Sequence, residues 1–215
     1  RTRTSLRAQI GRAEFGGRDF GGIELDAELD SQRLSGRISD RDEALRLLLS
    51  VSGTLTEREQ RIGLSGSVFG FDLAALGVSP EPIGGSFALD ASASAAGKGA
   101  YAARIALDSI EIRNKHRTDR IRPTSVSLHT DSAATRAEAA SGDLSLTFST
   151  PQSADSLIAA LTRSARTLAG QIDAQSIDME QLKPALPDFA LRVSAGPDNI
   201  LNSLLKSRKI AFDAL

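Results

Sequence analysis

Residue types able to do chemistry are sparse in this chain. Its two histidines, His116 and His129, stand apart, and neither has a second ligand at metal-binding spacing. His116 falls in a basic turn and His129 near the end of a strand-like run, so each reads as a solvated or packed histidine. Glu24, Asp26, Glu28 and Asp30 have the composition of a calcium ladder or a glycosidase pair. Their spacing of two puts all four on one strand face, opposite Ile23, Leu25, Ala27 and Leu29, where they read as a solvated face. The densest basic cluster is Arg113-Asn-Lys-His-Arg-Thr-Asp-Arg-Ile-Arg122. It suits lipid headgroups or an anionic partner, or else a hairpin tip kept soluble by charge and out of edge-to-edge aggregation. There is no Cys, which excludes thiol catalysis, disulfides and Cys-based metal sites within the chain. There is no Gly-x-Ser-x-Gly elbow, Walker A loop or dinucleotide glycine pattern, and Gly97-Lys-Gly99 reads as a hairpin turn. With no nucleophile–base pair, a hydrolase reading has nothing to carry it. The expectation is a protein that is not an enzyme and needs neither cofactor nor metal.

The composition limits partners in the same way. Lys plus Arg number 26 and Asp plus Glu 27, for a net charge of −1 over 215 residues. That balance gives no electrostatic reason to expect nucleic acid. A hydrophobic fraction of 40% argues against long disorder, and only 4% of residues are aromatic, so the core is aliphatic. No signal peptide or transmembrane run is visible. Both ends read as cut from a longer polypeptide, which leaves room for a targeting or anchoring segment outside this piece.

The elements that would position any site are strands. Apolar residues alternate with polar ones through Ile23, Leu25 and Leu29, then Leu47, Leu49 and Val51, then Ile62, Leu64 and Val68. The alternation continues through Phe87 and Leu89, Ile105 and Leu107, Val126 and Leu128, and Leu144, Leu146 and Phe148. Period two means half-buried strands with one apolar and one wet face. The predicted fold class is mainly β, a curved, mostly antiparallel repetitive sheet, with a helical insertion in the C-terminal third. Leu47, Leu49, Val51, Ile62, Leu64 and Val68 are expected on its concave face. In a closed sandwich the apolar set would be core; in an open sheet it would line a groove able to hold an acyl chain.

The pattern changes near Pro151. A helix over about 153–175, capped by Ser153 or Ser156, carries Leu157, Leu161, Leu168 and Ile172 on one face and is expected to dock on the sheet as a lid. A short helix from Asp178 to Lys183, a strand from Ala190 to Ala195, a helix after Pro197 and a strand-like tail over 210–215 follow. The division is a repetitive sheet over 1–150 and helices with returning strands over 151–215, or one continuous domain.

One segment carries a resemblance. Phe69-Gly-Phe-Asp-Leu-Ala-Ala-Leu-Gly-Val-Ser-Pro-Glu-Pro-Ile83, feeding a new alternating strand, resembles the strand-to-strand connection of TamB-like proteins in the AsmA superfamily, in particular the Bacteroidota-type members. Ile110-Glu-Ile-Arg-Asn-Lys115 running through Arg122-Pro-Thr-Ser-Val-Ser-Leu128 fits the same picture. So do Ala140-Ser-Gly-Asp-Leu-Ser-Leu-Thr-Phe148 and Val193-Ser-Ala-Gly-Pro-Asp-Asn-Ile-Leu201. These motifs are degenerate, since such proteins share pattern more than fixed residues. The resemblance implies an internal periplasmic segment of a translocation and assembly module protein anchored in the inner membrane, with a taco-shaped hydrophobic groove. Its implied role is phospholipid transport toward the outer membrane and outer-membrane biogenesis. The implied partners are phospholipid acyl chains, neighbouring repeats of the same chain, and a barrel assembly protein reached through other regions. The alternative is a structural or assembly module whose apolar face is only core. The helical insertion departs from a bare β-taco.

Overall fold

A computed structural model describes residues 3–10, 13–15, 18–20, 22–97, 99–173, 178–199 and 202. Fourteen strands precede, interrupt or follow two α-helices among these residues: β1 (Arg3–Ile10), β2 (Ala13–Phe15), β3 (Arg18–Phe20), β4 (Ile23–Asp30), β5 (Arg33–Arg41), β6 (Leu45–Leu55), β7 (Glu59–Asp72), β8 (Gly84–Ala96), β9 (Ala100–Arg113), β10 (Thr118–Ile121), β11 (Thr124–Thr130), β12 (Thr135–Ser141), β13 (Leu144–Thr150), α1 (Ala154–Asp173), α2 (Met179–Leu182) and β14 (Ala190–Ser194). The expected fold class is the observed one. Twelve strands form one curved, open, antiparallel sheet in the order β1-β4-β5-β6-β7-β8-β9-β11-β12-β13-β14, with β10 paired beside β11 on the same strand, β9. One departure is near the start. The sequential order of strands is broken there, because β2 and β3 form a separate ribbon and β1 pairs directly with β4.

Nearest-neighbour pairing follows from short connections. Asp30 pairs with Arg33 across a two-residue loop in which Ser31 takes φ 58°, the positive φ such hairpins require. Asp72 ends β7 by accepting the Ala74 and Ala75 amides at 2.8 and 3.1 Å, and the Leu73 amide reaches the Ile83 carbonyl at 2.8 Å. That turns the Phe71–Val78 stretch into a closed loop.

The long central strands are not straight. The register shifts at Arg46/Leu47 on β6, at Val68/Phe71 on β7 and at Ser86/Ala88 on β8, where Ser109 of β9 takes φ 52°. On the far side of β9, Arg122 and Pro123 separate β10 from β11. These irregularities lie side by side across neighbouring strands. Each extra residue bends its strand and raises local twist, so a line of them creases the sheet transversely. Phe71 and Phe87 meet beside the crease at 6.1 Å. The most buried apolar side chains are few: Leu49, Val68, Ile110 and Ala160.

Helix α1 corrects an expectation. Ser153 caps it, accepting the Ser156 amide at 3.3 Å, and the Ala154 amide donates to Thr130 Oγ1 at 3.0 Å. The predicted lid stripe does not dock. Leu161, Leu168 and Ile172 are exposed (Ile172 by 59%), and only Leu157 of the four is half-buried. The neighbouring stripe of Ala160, Ser164 and Gln171 is buried instead. Beyond its first turn, which Thr130 ties to the sheet, the described elements that α1 meets most are α2 and the 3-10 turn Lys183–Ala185. Gln171 holds that return, donating through Nε2 to the Asp178 carbonyl at 3.0 Å and accepting the Asp178 amide at 3.1 Å. A buried glutamine with two backbone partners sets which face of α1 meets the returning segment, while three of the four stripe residues stay exposed. Leu161→Ala should therefore move the unfolding free energy by no more than about 0.5 kcal/mol. Ala160→Leu should cost about 1–3 kcal/mol by overpacking; urea denaturation of both variants checks the order. The expected helix after Pro197 and the tail over 210–215 lie outside the described residues, except that Asn202 is helical.

A polar clamp fixes the segment after β14. Asp143, in the β12–β13 turn, accepts the Asp198 amide and the Asn199 side-chain amide, both at 2.7 Å, and Arg122 Nε donates to Asp198 at 2.8 Å. The Asn199 hydrogen bond outweighs the opposing desolvation and, with weaker contributions from the Asp198 and Gly196 amides, holds the Asp143 pKa below its ordinary value. A carboxylate depressed on folding stabilises above its unfolded pKa and loses that contribution as pH falls through the lower folded value. The clamp should persist at pH 5 and above, about a unit over the ordinary carboxylate range. It should open only at pH below that range, read as a change in the Asn199 side-chain amide resonance during an acid titration.

Candidate functional site: the apolar face of the sheet

Strand register decides where the predicted groove residues go. Following the paired positions across the sheet gives continuous transverse rows. One row is Leu25, Ile38, Leu49, Gly66, Leu89, Leu107, Thr124, Ser141 and Leu144. The next is Ala27, Gly36, Val51, Leu64, Ala91, Ile105, Val126, Ala139, Leu146 and Val193. The third is Leu29, Leu34, Gly53, Ile62, Ala93, Ala103, Leu128, Ala137, Phe148 and Leu191. Ile23, Leu47, Val68 and Phe87 extend the same face toward the crease. Every residue predicted for the groove is therefore brought to one face of one sheet. A shift of one residue in any pairing would have put that strand's apolar set on the other side.

Nothing described is layered over the middle of this face. Ile62, Ile105 and Val126 are 44–49% exposed, and Leu128 is exposed as well. At about 4.8 Å between strands, ten strands present an apolar surface roughly 45 Å wide. Gly36, Gly53 and Gly66 interleave with the large side chains on β5–β7, and Ala91, Ala93, Ala103, Ala137 and Ala139 do so farther along. The face is thus furrowed rather than flat.

Its two ends are polar, which the strand pattern alone did not mark. At the crease end Asp40, on the apolar side of β5 opposite Leu47, is buried, and its Oδ1 accepts the Asp42 amide at 2.8 Å. At the other end Thr130, Thr135 and Thr150 sit in register at apolar-face positions and are buried. The Thr130 and Thr135 hydroxyls share a hydrogen bond of 2.8 Å, Thr135 donates to the Gln152 carbonyl at 2.8 Å, and Thr150 to that of Asp188 at 2.6 Å. These three threonines tie the start of α1 and the approach to β14 to the sheet. The available signal was threonine continuing each period-two series: 126, 128, 130 and 144, 146, 148, 150.

The other predicted sites sit elsewhere. The acidic ladder of β4 lies on the opposite face, with Asp26 bonded to Arg7 of β1 at 2.5 Å and opposite Arg37 of β5. Among the described residues no group of His, Asp and Glu could hold a metal. His116 is exposed in the β9–β10 turn, where its amide donates to Asn114 Oδ1 at 2.9 Å. In the basic hairpin Arg113, Arg117 and Arg122 face Glu111, Asp119 and Asp198 at 3.9, 2.7 and 2.7 Å, so much of its charge is answered locally.

Among the described residues, fold and face together define an open antiparallel β-sheet with one apolar side. No protein-family model, curated protein or solved structure matches the chain. Among the described residues no helix is long and apolar enough to cross a membrane.

Proposed function

We propose that this chain is a periplasmic segment of an envelope-bridging protein of the TamB-like kind, anchored in the inner membrane through regions outside this piece. Its apolar face carries phospholipid acyl chains toward the outer membrane. One observation carries the reading: three transverse rows of mainly apolar residues share one face, and no described residue is layered over their middle. Water on so large an apolar surface is costly, and surfaces beyond a few hundred Å² mark interaction sites. Each fully buried methylene contributes about 0.8 kcal/mol, so a fatty chain lying in a furrow is held without any catalytic group. On this reading the apolar face is the concave one and selects weakly among headgroups.

A second reading has its own support. Among the described residues β1 pairs only with β4 and β14 only with β13, and β14 shows exposed Leu191 and Val193. Such edges suit continuation by a neighbouring repeat or a strand from a barrel protein. A photo-crosslinking residue at Leu64, Ile105 or Val126 in intact cells separates the two. Phospholipid adducts at these positions support transport; adducts to protein alone overturn it in favour of an assembly module.

A further inference from the structure

The opposite, polar face holds a depression of about 570 Å³ over β7–β12, a volume in the range of small-molecule sites. Register puts Arg61, Ser94, Ala102, His129 and Arg136 in one transverse row, with Arg104 in the adjoining row between Ser92 and Ser127. The floor is low because its central residues are alanine and serine, and the long cationic side chains stand around it. Arg61 shares its charge with Glu59 at 2.7 Å. Arg104 and Arg136 make no ion pair among the described residues, and Glu138 is the one carboxylate of the lining. Beyond His129 and Arg136 a second hollow carries Asp131 and Asp188. Asp131 there is already engaged, accepting the Ala133 and Ala134 amides at 2.7 and 2.9 Å.

We infer that this depression binds a phosphoryl-class ligand of at least two negative charges. Four strand spacings separate Arg61 from Arg136, roughly 19 Å at the backbone, and Arg104 stands between. One small anion would meet one or two guanidinium groups, whereas a diphosphate can bridge Arg104 to a flanking arginine. The planar guanidinium fork matches phosphoryl oxygens two at a time, and the Ser92, Ser94 and Ser127 hydroxyls supply further donors. The site lies on the side of the sheet away from the acyl-chain face and stands or falls independently of that proposal.

The test is titration of the folded chain with pyrophosphate, followed by amide chemical shifts. Shifts should concentrate at residues 92–94, 102–104, 127–129 and 136–138. Arg104→Gln and Arg136→Gln should each weaken binding about tenfold, the worth of one charge-assisted hydrogen bond. Arg58→Gln, an equal charge change in the β6–β7 turn, should leave it unchanged. A parallel arm uses cardiolipin–phosphatidylcholine vesicles, because the cardiolipin headgroup carries two phosphates and two negative charges. Sedimentation with them that pyrophosphate and Arg104→Gln both abolish assigns the site to a lipid headgroup; binding of pyrophosphate alone assigns it to a soluble phosphorylated ligand. No response in either arm, or an equal loss in Arg58→Gln, overturns the inference.

Discussion

Gly66→Ala should destabilise the protein by roughly 2–4 kcal/mol, among the largest losses any single methyl group can cause here. Gly66 sits in the middle of β7 with φ 153°, where L side chains are rarely found. Backbone strain of this kind costs about 1–3 kcal/mol. A Cβ at this position would also strike the Leu48 carbonyl oxygen and come within 2.9 Å of the Leu49 Cα, both backbone atoms of β6. Neither can swing aside as a side chain would, so the β6–β7 pairing must open. Leu49, the buried partner opposite Gly66, would move with it. Gly170→Ala is the matching control. It lies in α1 with nothing within 4 Å of the added Cβ, so it should gain up to about 1 kcal/mol through helix propensity. Equilibrium urea unfolding of both variants measures the contrast. A Gly66→Ala midpoint equal to wild type would mean that β6 and β7 tolerate a wider separation than the register implies.

Under the proposed function, an aspartate on the apolar face should sharply reduce acyl-chain capture. Leu64 lies in the middle row between Val51 and Ala91, and Leu64→Asp would set an unpaired carboxylate where methylenes should lie. An isolated charge in apolar surroundings costs several kcal/mol or protonates instead. Because Leu64 is half-buried, part of that cost falls on folding. Ile105→Asp, three strands' width from β6 and 49% exposed, avoids this confusion. It should remain folded by circular dichroism and lose at least about tenfold in co-purified phospholipid measured by mass spectrometry, equivalent to about 1.4 kcal/mol. Ser50→Asp, on the polar face of β6 and exposed, should retain lipid. Equal lipid content in Ile105→Asp and wild type would overturn the proposed transport role and leave the apolar face as a surface for protein.

The same contrast between faces shows what sequence could and could not determine. Alternation in β4, β6, β7 and β9 was enough to place the strands and to assign every predicted groove residue to one side, because side-chain direction on a strand has a period of two. Local chemistry likewise marked Ser153 as a cap and Gly97 and Gly99 as a turn. Pairing order was not legible over residues 1–20, because the choice of β4 as partner for β1 over the adjacent β2 depends on contacts far apart in sequence. The buried face of α1 was not legible either. Leu157, Leu161, Leu168 and Ile172 make a helical stripe, but so do Leu157, Ala160, Ser164 and Gln171, and periodicity gives no reason to prefer the less apolar one. Only the returning segment, with Asp178 bonded to Gln171, makes that choice. The gathering of Arg61, Arg104 and Arg136 was hidden for a related reason: they are scattered along 76 positions of sequence, and only the register of five neighbouring strands brings them around one depression. Sequence determined which way each strand faces, because that is a local property of the backbone; tertiary structure decided which faces meet, because that depends on the pairing of distant segments.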